Sequence, residues 1–214
     1  KMVKCFFGVL MFIVLLAQPF QLSFEGKDYT AVVKLQTVEA ANHLPASTKD
    51  GVILHAWNWS FDTIRSRLPE IAAAGYKSIQ TSPIQGVKEN TMNGSHWWIL
   101  YQPINFSIGN AQLGTREQFR QLCAEAESYG IKIIVDVVAN HMGNQGFSGP
   151  QAYMPAPNVD PTILNNSAFW HQLSGITNWN DRWQVTQLGI GLPDLNTGNQ
   201  ALQDKIIAFL NDAI

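Results

Sequence analysis

Charge is scarce in this sequence: Asp, Glu, Lys and Arg make up 14% of 214 residues, and the net charge is -2. Such a chain has no basic footprint for nucleic acid or for an anionic membrane surface, which argues against both partners. Cysteine is rarer still, with two in the whole chain, Cys5 and Cys123. Cys5 falls inside an N-terminal apolar run, so removal of that run leaves one cysteine and no intrachain disulfide. Cys123 lies on a helical pattern with no His-Cys arrangement around it and reads as a small buried apolar residue. No Gly-rich phosphate loop follows the first strand signal, which weighs against a doubly wound sheet. No HExxH pattern or second His or Cys sits at ligand spacing, which weighs against zinc.

No apolar run reaches the roughly 20 residues of a membrane-spanning helix. The run from Cys5 to Ala17 follows Lys1 and Lys4, a basic segment before a short apolar one. Residues 1–20 are therefore expected to be a secretory signal peptide, with an uncleaved anchor as the alternative. No clean cleavage site stands out: Ala17 is one candidate, and "VEAA" near Ala40 is a later one. A residue ahead of Met2 marks the chain as an expected fragment. Residues 21–49 are polar and aperiodic and read as a linker or disordered lead-in.

What is present is a hydrophobic content of 46% and seven Trp. That is enough for a sizeable core, with tryptophans to spare for flat apolar ligands or for packing. The pattern from Gly51 onward alternates. "GVILHAWNW" (Gly51 to Trp59) is a strand signal, and Ser60 can cap a helix with Phe61, Ile64, Leu68 and Ile71 at helical spacing. Pro69 predicts a kink or a late start, and Gly75 a stop. "KSIQTSPI" (Lys77 to Ile84) is a second strand. A long loop, 85–114, carries "SHWWILYQPINFSIGN". Thr115 and Gln118 then stand in capping-box spacing before Phe119, Leu122 and Ala126, with Gly130 closing the helix. "KIIVDVVANHMG" (Lys132 to Gly143) is the third and most hydrophobic strand. Residues 142–193 have no clear period, and a last helix spans 199–214 with Leu202, Ile206, Phe209 and Ala213 on one side.

Strand-helix alternation implies parallel strands with crossover helices. Polar and aromatic residues gather at the C-terminal tips of all three strands, where barrel enzymes build their sites, so a TIM barrel is favoured. A whole barrel takes eight strands in about 250 residues, and three are counted here. The tips offer His55, Trp57 and Trp59, then Ser82, then Asn140 and His141, with His96, Trp97, Trp98 and Tyr101 on the loop between. Aromatic rings with interleaved amides suit the apolar faces and hydroxyl edges of sugars, although the same rings could cover a barrel rim. Asn140 could cap a strand end or donate an oxygen to a hard cation such as calcium. His141 could be a rim residue or a substrate contact.

"DVVANH" (Asp136 to His141) resembles the first signature of the alpha-amylase family of glycoside hydrolases. "LPDLN" (Leu192 to Asn196) resembles its second marker. "GVILHAWNWSF", "IQTSPIQGVKE", "LYQP" and "NWNDRWQVTQ" are similar to secreted bacterial alpha-amylases, so the likeness covers nearly everything from Gly51 to Ile214. The resemblance implies an α/β (β/α)8 TIM barrel of which only the first three βα units are present, with a domain B insertion after strand 3. Residues 51–141 would belong to domain A, 142–193 to domain B, and 194–214 to the return into the barrel and its third helix. It implies calcium as cofactor, held by Asn140, by the backbone carbonyl of Thr186 and by Asp194. It further implies substrate contacts from His141, Tyr101, Gln102 and Trp98, and a structural role for Asp136. The family's nucleophile, acid/base and third acid come from strands four, five and seven, so no catalytic residue is expected in this chain.

The implied protein is a secreted, extracellular, monomeric hydrolase of α-1,4-glucan. It would take no nucleic acid and no membrane once the signal is cleaved, and this chain alone would be inactive and fold poorly. A glucanotransferase or α-glucosidase of the same family is one alternative. A non-catalytic carbohydrate-binding barrel is another.

Overall fold

The computed structural model describes residues 20–24, 27–31, 47, 49, 51–89 and 94–214. The expected signal peptide lies outside the described residues but for Phe20. Residues 1–40 and 41–214 are two separate units. In the first, β1 (Phe20–Phe24) and β2 (Lys27–Ala31) pair antiparallel, Phe20 against Ala31, within the stretch read as a lead-in. Among the described residues no helix is long and apolar enough to cross a membrane.

The second unit opens with β3 (Val52–Ala56), α1 (Phe61–Ala73) and β4 (Tyr76–Thr81). Ser60 caps α1 by accepting from the Thr63 N–H at 3.1 Å. Phe61, Ile64, Leu68 and Ile71, spaced for one helical face, are the buried residues of α1. Pro69 does not delay the helix, which starts at Phe61 and is continuous past it. It lies on the exposed side, where water can take the Arg65 carbonyl that a proline leaves without its N–H partner. Gly75, at φ +86°, ends the helix in a conformation that a Cβ disfavours.

The described part of 85–114 is structured rather than a loop. It contains β5 (Gln85–Val87), a 3-10 segment Gly94–Tyr101, β6 (Pro103–Asn110) and β7 (Gly114–Thr115), the three strands forming an antiparallel sheet. α2 (Arg116–Ser128) begins with the full capping box: Thr115 accepts from the Gln118 N–H, and the Gln118 side chain accepts from the Thr115 N–H. β8 (Lys132–Ile134) completes a parallel sheet in the order β3-β4-β8, with Ile79 beside Leu54 on one flank and Ile133 on the other. α1 and α2 pack through Phe61 and Phe119, centroids 5.3 Å apart, and Arg65 bridges to Glu125 at 3.1 Å. Ala56, Ile79, Ile84, Leu113, Leu122 and Ile131 fill the core beneath.

The third strand departs from its sequence reading in an informative way. Its ladder stops at Ile134, although the apolar pattern runs on to His141. Beyond that point a side chain does the pairing. Gln85, fully buried, accepts from the Val138 N–H at 2.8 Å and donates to the Val138 carbonyl at 2.9 Å and the Asn105 carbonyl at 3.3 Å. The tip then pairs with residues 193–195: Leu195 N–H donates to the Asn140 carbonyl at 2.9 Å, and Met142 N–H to the Pro193 carbonyl at 3.2 Å.

Residues 142–193 hold α3 (Pro161–Leu164), β9 (Gln172–Gly175), α4 (Arg182–Gln187) and β10 (Leu188–Gly189), with β9 and β10 parallel. A second core gathers Met142, Ala156, Val159, Ile163, Phe169, Leu195 and Leu202. In β9 a Cβ on Gly175 would collide with the Tyr153 hydroxyl. α5 (Gln200–Ala213), capped by Asn199, buries Leu202 and Phe209.

Candidate functional site

The tip of β3 turns sharply at Asn58, whose φ of 62° is left-handed. Asparagine tolerates that region better than most side chains, and the neighbours hold it there. The Asn58 N–H donates to Ser82 Oγ at 2.9 Å, and Gln112 Nε2 donates to its carbonyl at 2.9 Å. The turn brings Trp57 against three rings: His55 at 5.1 Å, Trp97 at 5.2 Å and Tyr101 at 6.1 Å, the last nearly stacked at 29°. Trp57 and Trp97 remain 39% and 45% exposed, so the cluster opens outward.

Tyr101 links this cluster to the third strand. Its hydroxyl donates to Asp136 Oδ2 at 2.8 Å, and its backbone carbonyl lies 3.0 Å from His141 Nε2. Burial, followed by the hydrogen bond and charge of Asp136, pushes the phenol up to about 12. Burial holds His141 below its ordinary value, against the raising effects of the Tyr101 carbonyl and Asp194. A carbonyl can only accept, so His141 carries its proton on Nε2 and leaves Nδ1 as an acceptor. Asn140 Nδ2 stands 3.3 Å from that Nδ1.

The same Asn140 amide donates to Asp194 Oδ1 at 3.1 Å. His171 Nδ1 meets the other oxygen, Oδ2, at 2.7 Å. The His141–Asp194 bridge between backbones sets this meeting: adjacent antiparallel residues bring Asn140 and Asp194 together although they are 54 positions apart. A carboxamide and a buried carboxylate thus meet, with the Asn140 NH2 turned towards Asp194; calcium takes oxygen donors, which here are Asn140 Oδ1 and the Asp194 carboxylate. Thr186 lies in α4 with its hydroxyl bonded to the Arg182 and Trp183 carbonyls at 2.9 and 3.2 Å. Among the described residues no group of three or more His, Cys, Asp or Glu comes together to hold a metal.

The sequence matches the family model described as "Alpha amylase, catalytic domain" over residues 60–212. The chain belongs to the alpha-amylase family. It is 52% identical over 182 residues to an alpha-amylase of Clostridium acetobutylicum, covering 85% of this chain and 23% of that protein. It is 36% identical to an alpha-amylase of Butyrivibrio fibrisolvens over 206 residues, 88% of this chain and 20% of the other. The chain therefore spans about a quarter or less of the length of these relatives. An alpha-amylase structure from Malbranchea cinnamomea shares the fold, with a TM-score of 0.64 at 23% identity over 79% of this chain and 42% of that one.

Within this chain the residues implied by the family resemblance do not all meet. Tyr101, His141 and Asp136 form one hydrogen-bonded set. Asn140 and Asp194 form a second, joined to the first through the Asn140 amide. Trp98 stands apart, its ring meeting His96 and Phe147, and it is Trp97 that joins Tyr101. Gln102 is buried with its amide oxygen unpartnered. Trp57 and Trp97 were visible in the sequence as tip and loop aromatics, without any signal to rank them above Trp98. His171 had no signal, since it lies in the aperiodic stretch.

Proposed function

We propose that the protein containing this chain is a secreted, calcium-dependent alpha-amylase that cleaves α-1,4-glucosidic bonds of starch and related glucans with retention. The observation that carries the reading is the Tyr101–His141–Asp136 set beside an open Trp57–Trp97–Tyr101 cluster at the strand tips, together with family membership. Tyr101 offers a ring face for the apolar side of a glucosyl unit, and its hydroxyl bond to Asp136 stops the ring from turning. Burial lowers the His141 pKa and so favours the neutral ring, which meets a sugar hydroxyl through hydrogen bonding rather than charge.

Calcium would be held by Asn140 and Asp194, with the Thr186 carbonyl as a third donor, and would supply the charge that fastens residues 142–195 to the barrel. Retaining cleavage needs two carboxyl groups about 5–5.5 Å apart as nucleophile and acid/base. We assign neither role to an acid of this chain. It supplies the substrate-binding floor of an eight-stranded barrel whose remaining strands carry those acids, and alone it is inactive. Assaying the whole protein on soluble starch, with calcium and with a chelator, tests the reading. Chelator-sensitive hydrolysis giving products of α configuration is expected. Absence of α-glucan hydrolysis, or hydrolysis by the 214-residue chain alone, would overturn it.

A further inference from the structure

Lys88, just after β5, keeps only 6% of its side chain exposed. Burying an ammonium is costly unless its donors are met. Nζ donates to Asn144 Oδ1 at 2.8 Å and to the Asn144 carbonyl at 3.2 Å, and it lies 4.5 Å from the centre of the Phe147 ring. Glu89, at 4.0 Å, is the adjacent countercharge. Asn144 is itself buried and donates to the Gly191 carbonyl at 3.3 Å, while Asn158 Nδ2 donates to the Lys88 carbonyl at 2.9 Å. Both ends of the lysine are thus tied into the segment that follows the third strand.

Phe147 is the opposite case, a large apolar ring left 69% exposed. It sits in "GFSG" (Gly146 to Gly149), a sequence that would let an unheld side chain swing freely. Instead the Lys88 cation faces the ring, and Trp98 meets it at 87° with centroids 5.2 Å apart. Cation and aromatic edge together fix a ring that contributes little to any core. Trp98 directly follows Trp97, which joins the Trp57 and Tyr101 cluster, so the perpendicular pair starts one residue along the chain from that cluster.

We propose that Lys88 is a positioning residue that fixes Phe147 at right angles to Trp98, and that the exposed Phe147 ring is an outer stacking surface for one glucosyl unit of an α-glucan chain. This rests on the glucan-hydrolase reading above. That unit lies beyond those met by Tyr101 and His141, so its contribution appears with long substrates only.

In the whole protein, kcat and KM are to be measured on maltoheptaose and on a short chromogenic maltotrioside. The variants are Phe147→Ala, Phe147→Trp and Lys88→Met, each checked for folding by its melting curve. Loss of one stacking contact predicts that Phe147→Ala lowers the long-to-short ratio of kcat/KM about three- to tenfold, through KM. Phe147→Trp, which keeps a ring, holds the ratio, and Lys88→Met lowers it in the same direction. A Phe147→Ala protein with an unchanged ratio overturns the stacking surface, and a folded Lys88→Met protein with an unchanged ratio overturns the positioning role. A wild-type protein inactive on both substrates instead overturns the hydrolase reading, a result visible before any variant is made.

Discussion

Replacing Gln85 by Leu removes the side chain that pairs with Val138 in the far half of the third strand. The shape changes little, but three hydrogen bonds at 2.8, 2.9 and 3.3 Å disappear. The Val138 N–H and carbonyl are then left unpaired in a place where Gln85 has no exposed surface and Val138 only 7%. Each unsatisfied buried group costs about 1–3 kcal/mol, so the two short bonds set a loss of about 2–6 kcal/mol. The longer bond to Asn105 shares its donor and adds little, while the apolar leucine recovers part of the loss. A net destabilisation of about 2–4 kcal/mol is expected, read from paired guanidinium unfolding curves of wild type and variant. Amide hydrogen exchange at Val138 gives a local readout, since its protection should collapse in Gln85→Leu. Gln85→Glu should recover on acidification, because a protonated carboxyl can again donate to the Val138 carbonyl. A stability change under about 0.5 kcal/mol with Val138 protection intact would refute the reasoning.

Further expectations attach to single groups. The Tyr101 phenol, pushed up to about 12, stays protonated in the fold while unfolded tyrosine ionises near about 10. Its contribution to stability is therefore complete below about 10 and is lost as pH rises from there towards 12; a spectrophotometric titration should show one late phenol, absent in Tyr101→Phe. Burial pushes the Cys123 thiol up to about 11, so iodoacetamide at pH 8 should label it about a hundredfold more slowly in the native than in the unfolded chain, as mass spectrometry of its peptide would show. Asn140→Ala should weaken calcium binding at least about tenfold by titration calorimetry, and unchanged affinity would remove Asn140 from the metal site. Ser60→Ala and Thr115→Ala should each cost about 0.5–2 kcal/mol in unfolding experiments through loss of a helix cap.

Those caps show which parts of the fold were legible. Ser60 and Thr115 with Gln118 act on backbone groups three residues away, so their signal is local and survives in one sequence. The buried faces of α1 and α2 were legible for the same reason, because periodicity is local. The antiparallel sheet within residues 85–114 was not, since β5 pairs with β6 across an intervening 3-10 segment and no short-range turn marks it. Residues 142–193 hid their core because Met142, Phe169 and Leu202 come from segments far apart in sequence. At the site, the motif around Asn140 and His141 identified the strand tip. Around it, Gln85 reaches Val138 over 53 positions, His171 reaches Asp194 over 23 and Lys88 reaches Asn144 over 56, and nothing in the sequence announces such pairings.

The Gln85 amide also carries a consequence for the order of assembly during synthesis. Like the ladder partner β4, the receptor of the strand tip is made first: Val138 binds a side chain synthesised 53 residues earlier. At about 5–20 residues per second the amide waits some three to ten seconds for its partner, already seated against the Asn105 carbonyl. Tyr101 likewise precedes both Asp136 and His141. On a ribosome the third strand would therefore arrive at a receptor already in place, and Asp194 would follow only after His141 had been received.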